Sequence, residues 1–139
     1  MERFPRRLWR WFLPLFWMTI IYFLSTDAFS FPELRRTWTG FFAAKGVHLF
    51  EYTVLCLLWY QAISQGLGRW DGRAAIPSFL ATSIYAILDE FHQSLTLERS
   101  GNIIDILLDW CGAFFSLLTL WIAHRSRLWG SIRPDVFTR

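Results

Sequence analysis

Leu88-Asp89-Glu90-Phe91-His92-Gln93 closes one long apolar run, and Arg99-Ser100, Asn102 and Asp105 gather around the start of the next. A further acid, Asp109, falls one helical turn inside that second run. The two runs, 73–91 and 103–123, are close to the ~20 residues a helix needs to cross a hydrocarbon core. Their length and apolar character make them membrane helices. Ionisable side chains inside such helices cost roughly 2.5–3.5 kcal/mol each when central. A chain that keeps so many together uses them, so the same stretch that decides the fold also marks the candidate site.

Working outward, the composition agrees. Of 139 residues, 54% are hydrophobic and 19% aromatic, with nine Trp and fourteen Phe. A water-soluble domain of this size has too much surface for its volume to hide so many large apolar side chains. A bilayer removes the difficulty. The net charge is +3, but most of the basic residues sit at the chain ends and in one connection. Nucleic acid, which requires a basic face or groove, is excluded as a partner. Cys56 and Cys111 both fall within apolar runs; they supply neither a disulfide framework nor a metal-type CxxC and read as apolar fillers.

The chain reads as one membrane domain over 1–139, with spans at about 8–25, 46–64, 73–91 and 103–123. The first run follows Arg3, Arg6, Arg7 and Arg10 and stays bulky to its end, with no small-x-small cleavage signal, which makes it a retained anchor. Pro14 is expected to kink it. Residues 25–45 read as a polar connection, with Trp38, Phe41 and Phe42 at headgroup level. Gly66, Gly68 and Asp71-Gly72 end the second span. Four spans put both termini on one side. Ten of the 14 Lys and Arg belong to the termini and the 65–73 connection, so both termini are expected to be cytoplasmic.

That topology gathers the polar residues on the extracytoplasmic face. Lys45, His48 and Tyr52 form an i, i+3, i+7 stripe on the second helix, with Glu51 beside His48. Asp89, His92 and Gln93 share a face of the third, with Glu90 expected to point elsewhere. Asp105, Asp109, Gly112 and Ser116 line one side of the fourth, where the small residues permit close helix approach. Ser100 or Asn102 is suited to cap that helix. Turned inward, the stripes surround an outward-facing polar pocket. The alternative is structural: carboxylates paired with Arg99 and Lys45 to fix the helices. Asp109 favours function, because it is too deep for a cap and needs a partner or a proton.

His48-x-x-Glu51 and Asp89-x-x-His92, if face to face, would offer two histidines and two carboxylates to zinc or manganese. Such short pairs arise often by chance, and neither a metal nor any other cofactor is assigned. No Gly-x-Ser-x-Gly elbow is present in the sequence.

Taken in order, Lys45-x-x-His48-x-x-x-Tyr52, Asp89-Glu90-x-His92-Gln93, Arg99-Ser100, Asp105, Asp109 and Gly112 resemble the VanZ-like family of small bacterial membrane proteins. Where that family usually has Pro-Gly before the arginine, this chain has Leu97-Glu98. The resemblance implies a role at the cell envelope and a link to teicoplanin-type glycopeptide susceptibility. It also implies a shared pocket carried by Lys45, His48, Glu51, Tyr52, Asp89, Glu90, His92, Gln93, Arg99, Asp105 and Asp109.

The combined expectation is an all-α, multi-pass protein of the bacterial cytoplasmic membrane, acting on or near a polar lipid or lipid-linked cell-wall precursor. His48, Glu51, Asp89 and His92 are the candidate catalytic groups. Lys45, Tyr52, Glu90, Gln93, Arg99, Ser100, Asp105 and Asp109 are the candidate ligand-binding ones. A membrane enzyme acting on a headgroup, a non-catalytic binding module and a proton-coupled transport component all remain compatible with these residues.

Overall fold

The computed structural model describes residues 3–26, 37–67, 70–95 and 102–132, and all of its regular structure is helical. Its helices are α1 (Arg3–Leu24), α2 (Trp38–Ser64), α3 (Gly72–Ser94) and α4 (Ile103–Ile132). Three of them are long and apolar enough to cross a membrane, whereas the apolar part of α1 is the shorter Trp9–Leu24.

The distribution of side chains is the reverse of a soluble protein's. On α3 the buried positions are Ala74, Ser78, Thr82, Ser83, Ala86, Asp89, Glu90 and Gln93. Ile76, Leu80, Ile84, Ile87, Leu88 and Phe91 face outward. α4 behaves likewise: Asp105, Asp109, Ala113 and Ser116 are buried, while Leu107, Phe114, Phe115 and Ile122 are exposed. In water such exposed apolar area would drive association. In hydrocarbon it has no such penalty, and the small residues inside let the helices approach closely. The chain is therefore a multi-pass membrane protein.

α2 is the central helix. It packs on α4, α3 and α1, and its Tyr52 and Leu55 join Ile21 and Ala86 in a fully buried cluster flanked by Trp17, Met18, Trp59 and Tyr85. Two hydrogen bonds tie α1 in: Trp17 Nε1 donates to the Glu51 carbonyl at 3.0 Å, and Tyr85 Oη donates to the Met18 carbonyl at 2.5 Å. The short α2–α3 connection is closed by left-handed Gln65 (φ 64°), by stacking of Tyr60 on Trp70, and by Asp71 N donating to Tyr60 Oη at 2.6 Å.

Three boundaries differ from those expected. α2 begins at Trp38 rather than at residue 46, because Thr37 caps it by accepting from Gly40 N at 3.1 Å. Residues assigned to a headgroup-level connection are thus its first turns. Asp71, expected to end a span, is the N-cap of α3 and accepts from Arg73 N. α4 runs on to Ile132, nine residues past the expected end, carrying Arg125 and Arg127 of the basic tail as helix. Of the two candidate caps, Asn102 is the one described, its Oδ1 accepting from Ile104 N at 3.0 Å. α1 is helical across Pro14, which is fully buried. Cys56 is buried and Cys111 exposed, both as free thiols.

A buried polar cluster where three helix ends meet

The start of α2, the end of α3 and the start of α4 come together at one end of the molecule, beside the last turn of α1. The stripe on α2 is read out as a ladder of contacts. Lys45 Nζ pairs with Asp105 Oδ1 on α4. One turn further in, His48 Nδ1 lies 3.4 Å from Asp109 Oδ1. One turn deeper again, Tyr52 Oη donates to Asp89 Oδ2 on α3 at 3.1 Å. Gln93 Nε2 donates to the same Asp89 oxygen at 2.9 Å and reaches Ser25 Oγ at 3.3 Å. Glu90 accepts from the backbone N–H of Asn102, clamping the end of α3 to the start of α4.

Burial increases down the ladder. The Lys45 side chain keeps 20% of its exposure, His48 is 7% exposed, and Tyr52 is 0%. Asp109, at 1%, is the most enclosed carboxylate. Glu51, Asp89, Glu90, Gln93 and Asp105 are also buried.

The close fit of α2 on α4 that brings His48 to Asp109 rests on Gly112. A Cβ there would lie 2.5 Å from the Leu49 carbonyl oxygen and 3.1 Å from Thr53 Oγ1. Thr53 Oγ1 instead shares its proton between the Leu49 carbonyl at 2.6 Å and the Gly112 carbonyl at 3.1 Å. Glycine is needed here for backbone proximity, one turn after Asp109 on the same face.

Two positions on α3 differ from the sequence reading. Glu90 is inside the cluster, and His92 is at its margin, half-buried, with its ring 4.7 Å from that of Tyr22 on α1. The reason is angular. At about 100° per residue, Gln93 and Glu90 advance roughly 40° and 100° from Asp89, whereas His92 falls about 60° behind it. An inward arc wide enough for Asp89, Gln93 and Glu90 carries His92 round toward α1. The pairs His48-x-x-Glu51 and Asp89-x-x-His92 therefore do not oppose one another, and no group of three or more His, Cys, Asp or Glu among the described residues is placed to hold a metal. Arg99 and Ser100 lie outside the described residues.

Sequence spacing missed Ser25, Thr53 and Trp17, which support the cluster from outside its stripes. Ser25 had a usable signal, being the first small polar residue after a bulky run. Thr53 and Trp17 had none, since their partners are backbone carbonyls on other helices.

Chemically the cluster is rich in acceptors. Among the described residues, Asp89 Oδ1, Glu90 Oε2 and both Asp109 oxygens accept no hydrogen bond although they are buried. Leaving a buried carboxylate oxygen without a hydrogen bond costs about 1–3 kcal/mol or more. The arrangement can orient a polar group against several acceptors. It also places a carboxylate against an imidazole, which fixes the ring's orientation and favours its role as a base.

A protein-family model described as VanZ/LLP1 matches residues 8–124, a stretch that contains every residue of the cluster. No curated protein and no solved structure matches the chain.

Proposed function

The chain belongs to the VanZ/LLP1 family, and from that membership and its buried polar cluster we propose that it acts at the cell envelope on the headgroup of a polar lipid or lipid-linked cell-wall precursor. In this reading residues 1–139 form a single domain of the bacterial cytoplasmic membrane, all four helices span it, and both termini are cytoplasmic. The distribution of Lys and Arg supports that orientation, and it turns the cluster outward.

The observation that carries the proposal is the ladder Lys45–Asp105, His48–Asp109 and Tyr52–Asp89 together with carboxylate oxygens that accept no hydrogen bond from any described residue. A purely structural network would be expected to satisfy every buried polar atom of its members, because a buried acceptor left without a hydrogen bond is destabilising. Lys45, Tyr52, Glu90, Gln93, Arg99, Ser100, Asp105 and Asp109 are the proposed ligand-contacting groups.

The 3.4 Å approach of His48 to Asp109 favours a second reading, in which the pocket hydrolyses or transfers the headgroup. His48 then serves as general base with Asp109 orienting it and Glu51 and Asp89 nearby. His92 keeps at most a supporting role at the α1 side.

Lipid and metal analysis of material copurified with the full chain tests the proposal directly. A bound polar lipid or precursor that disappears in Lys45→Met and Asp109→Asn supports it; folded protein that copurifies with neither refutes it. Teicoplanin susceptibility of cells with and without the gene tests the envelope role that the family resemblance implies.

A further inference from the structure

At the end of the molecule opposite the acidic cluster, a cleft of roughly 370 Å³ opens between the first half of α1 and the last turn of α2. Arg10, Trp11, Ala62, Ile63 and Gln65 line it. We propose that this cleft seats the headgroup of an anionic phospholipid, with the Arg10 guanidinium on the phosphate and the acyl chains along the outer face of α1.

Charge complementarity carries the assignment. Arg10 is the charged residue among the described lining, no carboxylate joins it there, and it makes no ion pair with any described residue. A guanidinium presents a planar fork of N–H donors that matches phosphate oxygens two at a time. Gln65, held in the left-handed region at the end of α2 with φ 64°, adds an exposed amide at the rim.

A second donor lies behind the wall. Trp11 meets Trp59 edge-to-face at 6.2 Å, and the buried Trp59 Nε1 donates to no described group. Trp59 precedes Ala62 and Ile63 by three and four residues and so shares their side of α2. Indole N–H groups at the membrane boundary ordinarily find polar partners.

The apolar half of the ligand also has a place. Phe12, Leu15 and Phe16 follow Arg10 on α1 and are all about half exposed. The volume is within the range of sites that enclose a small ligand or headgroup. Anionic lipid attracts basic residues near a membrane surface in general; the distinguishing claim is that Arg10 does more than Arg73 or Arg125, which lie toward the same end outside the cleft.

The test uses the purified full chain and native mass spectrometry, with phosphatidylglycerol and phosphatidylcholine of identical acyl chains. The expected result is retention of phosphatidylglycerol over phosphatidylcholine by about fivefold or more. Arg10→Gln should abolish the preference, while Arg73→Gln and Arg125→Gln keep it. Ile63→Trp, which fills the cleft and spares Arg10, should abolish it too and keeps the claim testable if Arg10→Gln does not fold. Absence of a preference in the wild type overturns the proposal. So does an equal loss in all three arginine variants, which would mean diffuse attraction. Displacement of the lipid by free glycerol phosphate would identify a soluble occupant and overturn the lipid assignment.

Discussion

Replacing Gly112 by alanine probes the contact on which the cluster depends. The added Cβ would stand 2.5 Å from the Leu49 carbonyl oxygen, against 3.4–4 Å for ordinary contact. The obstacle is backbone, so no rotamer change relieves it, and α2 and α4 must separate by about 0.9 Å or tilt. Overpacking of this kind costs about 1–3 kcal/mol. Disturbing the 3.1 Å bond from Thr53 Oγ1 to the Gly112 carbonyl adds about 0.5–1.5 kcal/mol. Alanine returns about 1 kcal/mol through its better helix propensity. The expected net is a destabilisation of about 0.5–3.5 kcal/mol, together with a weakened approach of His48 to Asp109. Gly46→Ala is the internal control, because a Cβ at that exposed position meets nothing within 4 Å. It should be neutral or stabilising by up to about 1 kcal/mol. Thermal unfolding of both variants in one detergent measures the difference. A Gly112→Ala midpoint equal to or above that of Gly46→Ala would refute the close approach of α2 and α4.

Asp109→Ala should destabilise by about 3–5 kcal/mol by removing one partner of a buried pair, whereas Asp109→Asn should retain most of the stability; equal melting of Ala variant and wild type would remove Asp109 from the network. Tyr52→Phe, which loses the bond to Asp89 Oδ2, should cost about 1.5–3 kcal/mol, and unchanged unfolding would show that Gln93 alone satisfies that oxygen. If the pocket is catalytic, His48→Gln should slow turnover by roughly 10²–10⁴-fold with ligand binding retained, and His92→Gln should do much less because its ring packs against Tyr22; the reverse order would move the general base to His92. A cysteine placed within 96–98 should react with an impermeant thiol reagent from outside the cell, and labelling only after lysis would invert the proposed orientation.

Helix identity and membrane embedding were legible from the chain alone, for a reason intrinsic to bilayers. Backbone polar groups in hydrocarbon must be satisfied within their own segment, so apolar runs of this length become helices regardless of their neighbours. The stripe Lys45, His48, Tyr52 was legible too, because 3.6-residue periodicity fixes which residues share a face. Helix starts were less so: Trp38, Phe41 and Phe42 suit an interfacial connection and a helical turn equally, and the Thr37 cap settled it.

Which stripe meets which was decided only by tertiary packing. Periodicity gives each helix a face but not its rotation about the axis, and a modest rotation of α3 exchanges Glu90 for His92 at the cluster. That rotation is set where small side chains let helices close in, at Ala74, Ser78, Thr82 and Ala86 on α3 and at Gly112 on α4 against the backbone of Leu49 on α2. The supporting bonds from Trp17, Thr53 and Tyr85 end on backbone carbonyls of other helices. A carbonyl is present at every residue, so nothing in the sequence distinguishes the one that packing brings within reach.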